Sequence, residues 1–122
     1  MTDARRRLGA TAEALVARRL AARGWRVEAR NWRTPWGELD LVARDGDCLV
    51  VVEVRARRAG GGRGLPEESV DARKARRLLR LGWAYVQAAD WEGPWRIDVV
   101  AVTLSAEDEV TRLVHYESAV GP

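Results

Sequence analysis

The spacing of apolar residues along the chain alternates between the helical and the strand period. In GATAEALVARRLAAR (9–23), Ala12, Leu15, Val16 and Leu20 recur every three or four positions, which predicts an amphipathic helix stopped by Gly24. In WRVEARN the period falls to two. Trp25, Val27 and Ala29 alternate there with Arg26, Glu28 and Arg30, a first strand. Pro35 and Gly37 mark a turn, and ELDLVAR (38–44) reads as a second strand. Asp45-Gly46 reads as a hairpin turn leading into a third strand, CLVVVEVRA (48–56). The stretch AGGGRGLP (59–66) is too glycine-rich for regular structure and reads as a mobile loop. The helical period returns from Ala72 to about Ala89, capped by Asp71, with Ala75, Leu78, Leu79, Gly82 and Val86 as its apolar stripe. RIDVVAV (96–102) is a fourth strand and VTRLVH (110–115) a short fifth. The order αβββαβ(β) predicts one α/β domain, with a central mixed sheet of four to five strands flanked by helices.

Within the third strand, Glu53, Arg55 and Arg57 take alternate positions in a valine-rich run, so they share a face. A two-residue turn at Asp45-Gly46 puts Glu38 opposite Glu53 and Asp40 opposite Val51. Glu38, Asp40, Glu53 and Arg55 then gather on one side, whereas a turn of odd length would separate them. Three carboxylates crowded together are costly unless something positive sits among them. Arg55 neutralises one; a divalent cation would neutralise two, and oxygen ligands at this density suit Mg²⁺ or Mn²⁺.

Composition narrows the class. At 122 residues, 47% hydrophobic and 32% charged, the chain has the make-up of a soluble globular domain. No apolar run approaches the roughly 18 residues of a membrane span. The opening MTDARRRLGA has the charge of a signal peptide with no apolar segment behind it, so a cytoplasmic setting is expected. The single cysteine, Cys48, excludes an internal disulfide and a cysteine-based zinc site, and reads as an inert buried thiol. The net charge of +3 conceals an asymmetry. Residues 55–80 hold nine basic and three acidic side chains, and residues 90–122 hold two basic and seven acidic. Such a basic middle suits a polyanion such as DNA, with Arg57, Arg58, Arg73, Lys74, Arg76 and Arg77 as contacts; a merely solvated helix face is the alternative. Against 20 arginines, Lys74 is the only lysine.

These residues carry a resemblance. An acidic residue on a first helix, an Asp on one strand and Glu-x-Lys on the next resemble the PD-(D/E)XK, restriction-endonuclease-like nucleases, here as Glu13, Asp40, Glu53 and Arg55. The ordered stretches GATAEALVARRLAARGW, RNWRTPWGELDLVARDGDCLVVVEVRAR, the run from Gly64 to Leu78 and RIDVVAV are similar to the YraN-like family of small bacterial proteins. Members of that family resemble Holliday-junction resolvases. The resemblance implies a restriction-endonuclease-like fold and a metal-dependent DNA endonuclease, in which Asp40, Glu53 and the Val54 carbonyl hold Mg²⁺. It assigns Glu13 to the same cluster from the helix, and by analogy a homodimer suits a two-fold junction. Arg55 departs from the pattern. Lysine can lose its proton and arginine effectively cannot, so Arg55 would serve as an electrostatic clamp. Lys74 could then deliver a cation from another direction.

Other residues have plainer readings. Glu13 can be ordinary helix-surface charge, and Glu38 a structural partner for an arginine. Asp98, in an apolar strand, is either functional or part of a buried salt bridge. His115 reads as structural. Trp32 and Trp36 can stack on unpaired bases, but with six Trp and no Phe in the chain, packing is the expected use. Two functions follow: the metal-dependent nuclease, and a nucleic-acid-binding module whose nuclease-like site is weakened or inactive. The presence of Glu13, Asp40 and Glu53 together favours the first.

Overall fold

Thr2 starts the first helix by accepting the Arg5 amide on its hydroxyl (3.2 Å), and α1 runs from Asp3 to Ala22. It therefore begins well before the predicted Gly9. The added turns carry Arg5, Arg6 and Arg7, all exposed, so no apolar stripe announces them in the sequence. The computed structural model describes residues 2–61 and 70–120, and residues 62–66 of the predicted loop lie outside them. The remaining elements are β1 (Arg26–Thr34), β2 (Gly37–Asp45), β3 (Cys48–Arg58), α2 (Ala72–Ala88), β4 (Trp95–Leu104) and β5 (Val110–Val120).

The five strands form one mixed sheet in sequence order. β3 and β4 are parallel, linked through α2, and the other neighbours are antiparallel. A helix covers each face. Ala12, Val16 and Leu20 of α1 pack on Leu41, Val50, Val52 and Val100, while Leu78, Leu81, Tyr85 and Val86 of α2 pack on Leu39, Val42, Val51 and Ile97. This explains the unbroken valines of β3: a central parallel strand buried on both faces is apolar at every position. The stripe on α2 is rotated from the predicted one. Leu81 and Tyr85 are buried, whereas Leu79 is only half-buried.

Two details of register differ from expectation. The β2–β3 turn is Gly46-Asp47, closed by Asp45 opposite Cys48, with Gly46 at φ +61 in the first turn position. Because the shift from the predicted pairing is by two residues, the paired residues 41–45 keep their faces, but the alternation breaks at Asp40: Leu39 packs on the α2 side and Leu41 on the α1 side. In β1 the regular alternation fails at Glu28, where a bulge lies between Val27 and Ala29. Val27 packs on the α1 side and Ala29 on the α2 side. The extra residue is held by the Tyr85 hydroxyl (2.5 Å) and by Arg44 (2.8 Å). β5 is longer than predicted, because pairing with β4 carries it on to Val120.

Asp98 is fully buried on the α1 side, and its partners identify it as structural. It accepts Arg96 Nε (3.0 Å), the Ser118 amide (2.9 Å) and a bond from His115 Nε2 (2.8 Å), whose other ring nitrogen faces Arg23 (3.0 Å). Replacing Asp98 with Ala strands Arg96 and His115, and is expected to cost about 3 kcal/mol or more in denaturant unfolding. Cys48 is half-buried, and burial pushes its thiol up from 9.0, in keeping with an inert role.

Candidate active site

β2 and β3 pair from the turn as far as Leu41 opposite Val52. Beyond that point Asp40 replaces the ladder: its Oδ2 accepts the Val54 amide at 2.9 Å. β2 continues beside β1 to Gly37, and β3 continues beside β4 to Arg58, so the sheet forks at Asp40 and Glu53. The fork opens a cleft of about 680 Å³. Glu13, Asp40, Glu53, Val54, Arg55, Lys74 and Arg77, all singled out from the sequence, line it together.

Glu53 is 5% exposed and is the electrostatic hinge of the cleft. Its Oε2 meets Arg55 NH1 at 3.4 Å and Lys74 Nζ at 3.2 Å. Lys74 arrives from the first turn of α2, which Asp71 fixes by accepting the Lys74 amide (2.9 Å). The lone lysine thus reaches the carboxylate that Arg55 also serves. Asp40 hydrogen-bonds the Glu53 carboxyl, and its own pKa is raised from 3.8 to about 8. Burial is the largest cause, followed by the charge of Glu53; Glu13 adds to the rise, and the Val54 amide opposes it. Two carboxyls in contact cannot both ionise cheaply, so Asp40 holds its proton.

Asn31 does not stand out in the sequence. It sits at φ +51 near the end of β1 and donates from Nδ2 to Glu13 Oε1 (2.8 Å), which fixes the helix carboxylate toward the cleft. An Asn within a strand-like run is the signal that could have marked it. Arg5 and Arg6 also line the cleft, although the sequence had not marked them as contacts. Glu38 pairs with Arg33 at 3.1 Å, the expected structural role, at the cleft's rim. Arg58 lies away from the cleft. It donates to the Ser105 carbonyl (2.8 Å) and pairs with Asp108, tying down the β4–β5 turn. Arg57 is half-buried farther along β3 and is not among the cleft's lining residues. Arg73 and Arg76 line an adjoining hollow with Arg77, Arg80 and Trp36.

Among the described residues no cluster of three or more His, Cys, Asp or Glu side chains is arranged to hold a metal ion. The donor set at the fork is a carboxylate pair. Mg²⁺ uses such pairs, filling its remaining positions from water and substrate phosphate, and a cation would offset the Glu53 charge that adds to the effect of burial on Asp40. The residues present therefore fit a divalent ion.

A family model covers residues 12–102, that of the uncharacterised protein family UPF0102. The chain belongs to this family. It is the YraN-like family of the resemblance above. A UPF0102 protein of Pelotomaculum thermopropionicum is 47% identical over 120 residues, covering 98% of this chain and 99% of the relative. One from Roseiflexus castenholzii is 46% identical, with 98% of each chain covered. One from Anaeromyxobacter dehalogenans is 45% identical over 96% of this chain and 86% of its own. Among the described residues of this UPF0102 chain, no helix is long and apolar enough to cross a membrane.

Proposed function

We propose that this UPF0102 protein is a metal-dependent DNA endonuclease whose centre is the Asp40–Glu53 pair. The observation that carries the reading is the fork itself. It brings two carboxyls into contact in an open cleft with Lys74 and Arg55 on the second of them. Asp40 and Glu53 would hold Mg²⁺ or Mn²⁺. When bound, such an ion supplies charge neutralisation and a more acidic water. Glu13, steadied by Asn31, is placed to accept a hydrogen bond from the attacking water. Lys74 and Arg55 donate to the phosphate oxygens, where charge builds as the water oxygen bonds to phosphorus and the bridging P–O bond breaks. Arg55 keeps its proton throughout, which leaves Lys74 as the cation able to pass one to the departing oxygen.

A second reading draws on one observation. Glu53 is already engaged by two cations, which compete with a metal and suit a binding module with a disarmed site. Incubation of nicked, flapped and four-way DNA with Mg²⁺ or Mn²⁺ separates the readings: cleavage by the wild type supports the nuclease, and none with any divalent ion supports the module. Both readings expect the exposed arginines of α2 to bind phosphate. Replacing Arg73, Arg76 and Arg77 with Ala should weaken binding and make log K against log salt shallower by about 0.9 for each phosphate no longer neutralised. An unchanged slope would mean that this face is only solvated.

A further inference from the structure

Trp36 is 72% exposed at the tip of the β1–β2 turn, where an indole gains nothing from burial. Its neighbour in sequence, Trp32, behaves as expected and packs edge-on against Tyr85 at 5.1 Å. The display of Trp36 is built into the backbone. Its amide donates to Thr34 Oγ1 (3.1 Å), and that hydroxyl donates to the Gly37 carbonyl (3.0 Å). Gly37 lies at φ +147, and a Cβ there would stand 3.2 Å from Leu81 Cδ1, so the turn is seated directly on α2. Next to the ring are Arg73, Arg76, Arg77 and Arg80, around a hollow of about 280 Å³. Arg77 and Arg80 have no salt-bridge partner among the described residues.

An exposed indole face ringed by guanidiniums matches one chemistry: a nucleobase stacked on the ring with its flanking phosphates on the arginines. Paired bases inside a duplex hide their faces, so away from a duplex end the ring is open to an unpaired nucleotide. Arg77 lines both this hollow and the cleft, making one continuous surface. Along the axis of α2, Lys74 and Leu81 are about 10 Å apart, a span of a few nucleotides. We infer that Trp36, with Arg73, Arg76 and Arg80, forms a subsite for an unpaired nucleotide, selecting DNA in which a single strand leaves a duplex near the cleft. The consequence for cleavage rests on the nuclease reading; the binding site does not.

The test is fluorescence anisotropy in the presence of a chelator, with a blunt duplex and the same duplex carrying a single-stranded arm. The wild type should prefer the armed DNA. Trp36→Ala should weaken that complex by about 5- to 150-fold and leave the blunt duplex unchanged, with Trp36→Phe retaining most of the preference. Equal weakening on both DNAs, an undiminished preference in Trp36→Ala, or no preference in the wild type would each overturn the inference. Trp36 lies outside the core, so the variants should unfold like the wild type. Because cleavage is not read, a wild type that binds through Trp36 and never cuts would sink the nuclease reading alone. One that cuts without any Trp36-dependent preference would sink this inference alone.

Discussion

Asp40→Asn should abolish metal-dependent cleavage, by about 10³-fold or more, and make the metal-free protein more stable at alkaline pH. Both effects come from one cause. The folded chain raises Asp40 from 3.8 to about 8, first by burial and then by the charge of Glu53. Between those values the folded state holds a proton that the unfolded chain has released, so wild-type stability falls as pH rises through the window. Asn still accepts the Val54 amide and donates to Glu53, with no proton to lose. The advantage of the variant should therefore be absent at about pH 4 and grow by up to about 1.4 kcal/mol per pH unit, levelling off above about pH 8. Denaturant unfolding of both proteins across this range measures it. A difference that does not change with pH would contradict a proton held at Asp40.

Lys74→Ala should reduce cleavage by about 10²- to 10³-fold while Arg55→Lys retains it. Lys74 Nζ lies 3.2 Å from Glu53, whereas Arg55 stands at 3.4 Å, so both cations already face the place where phosphate charge would build. The two substitutions differ in what they leave behind. Arg55→Lys keeps a cation on β3, but Lys74→Ala removes the only side chain of the pair that can give up a proton. Lys74→Arg restores charge without that capacity and should recover binding more than rate. Single-turnover cleavage with saturating DNA separates these effects. An equal drop in Lys74→Ala and Arg55→Ala, fully rescued by Lys74→Arg, would reduce Lys74 to an electrostatic role.

The residues of the cleft were legible because they fall on adjacent strands at the end away from the hairpin turn. A pairing error of two residues moved the hairpin turn from Asp45-Gly46 to Gly46-Asp47 and left Glu53 and Arg55 on one face of β3, while Asp40 joins them in the cleft through its bond to the Val54 amide. The fork was not legible, since nothing in ELDLVAR says that Asp40 will take an amide bond from β3 in place of a ladder bond. The bulge at Glu28 was hidden for a related reason: its partners, Tyr85 and Arg44, are set by tertiary contact. Charge alone did not foretell the partners of Arg58, Ser105 and Asp108, which come from a distant turn. Composition misled at Trp36, because the shortage of other aromatics correctly explained Trp32 but not a tryptophan held at a turn tip.

Titrating Mn²⁺ into the metal-free protein by calorimetry, in buffers of different ionisation enthalpy near pH 7, tests the Asp40–Glu53 centre most directly. Saturable binding at one site per chain is expected, accompanied by release of about one proton, because the ion displaces the proton held at Asp40. That binding should vanish in Asp40→Asn and in Glu53→Gln and persist in Trp36→Ala. Saturable binding that survives both carboxylate substitutions, or no binding by the wild type, would contradict a metal centre at this pair.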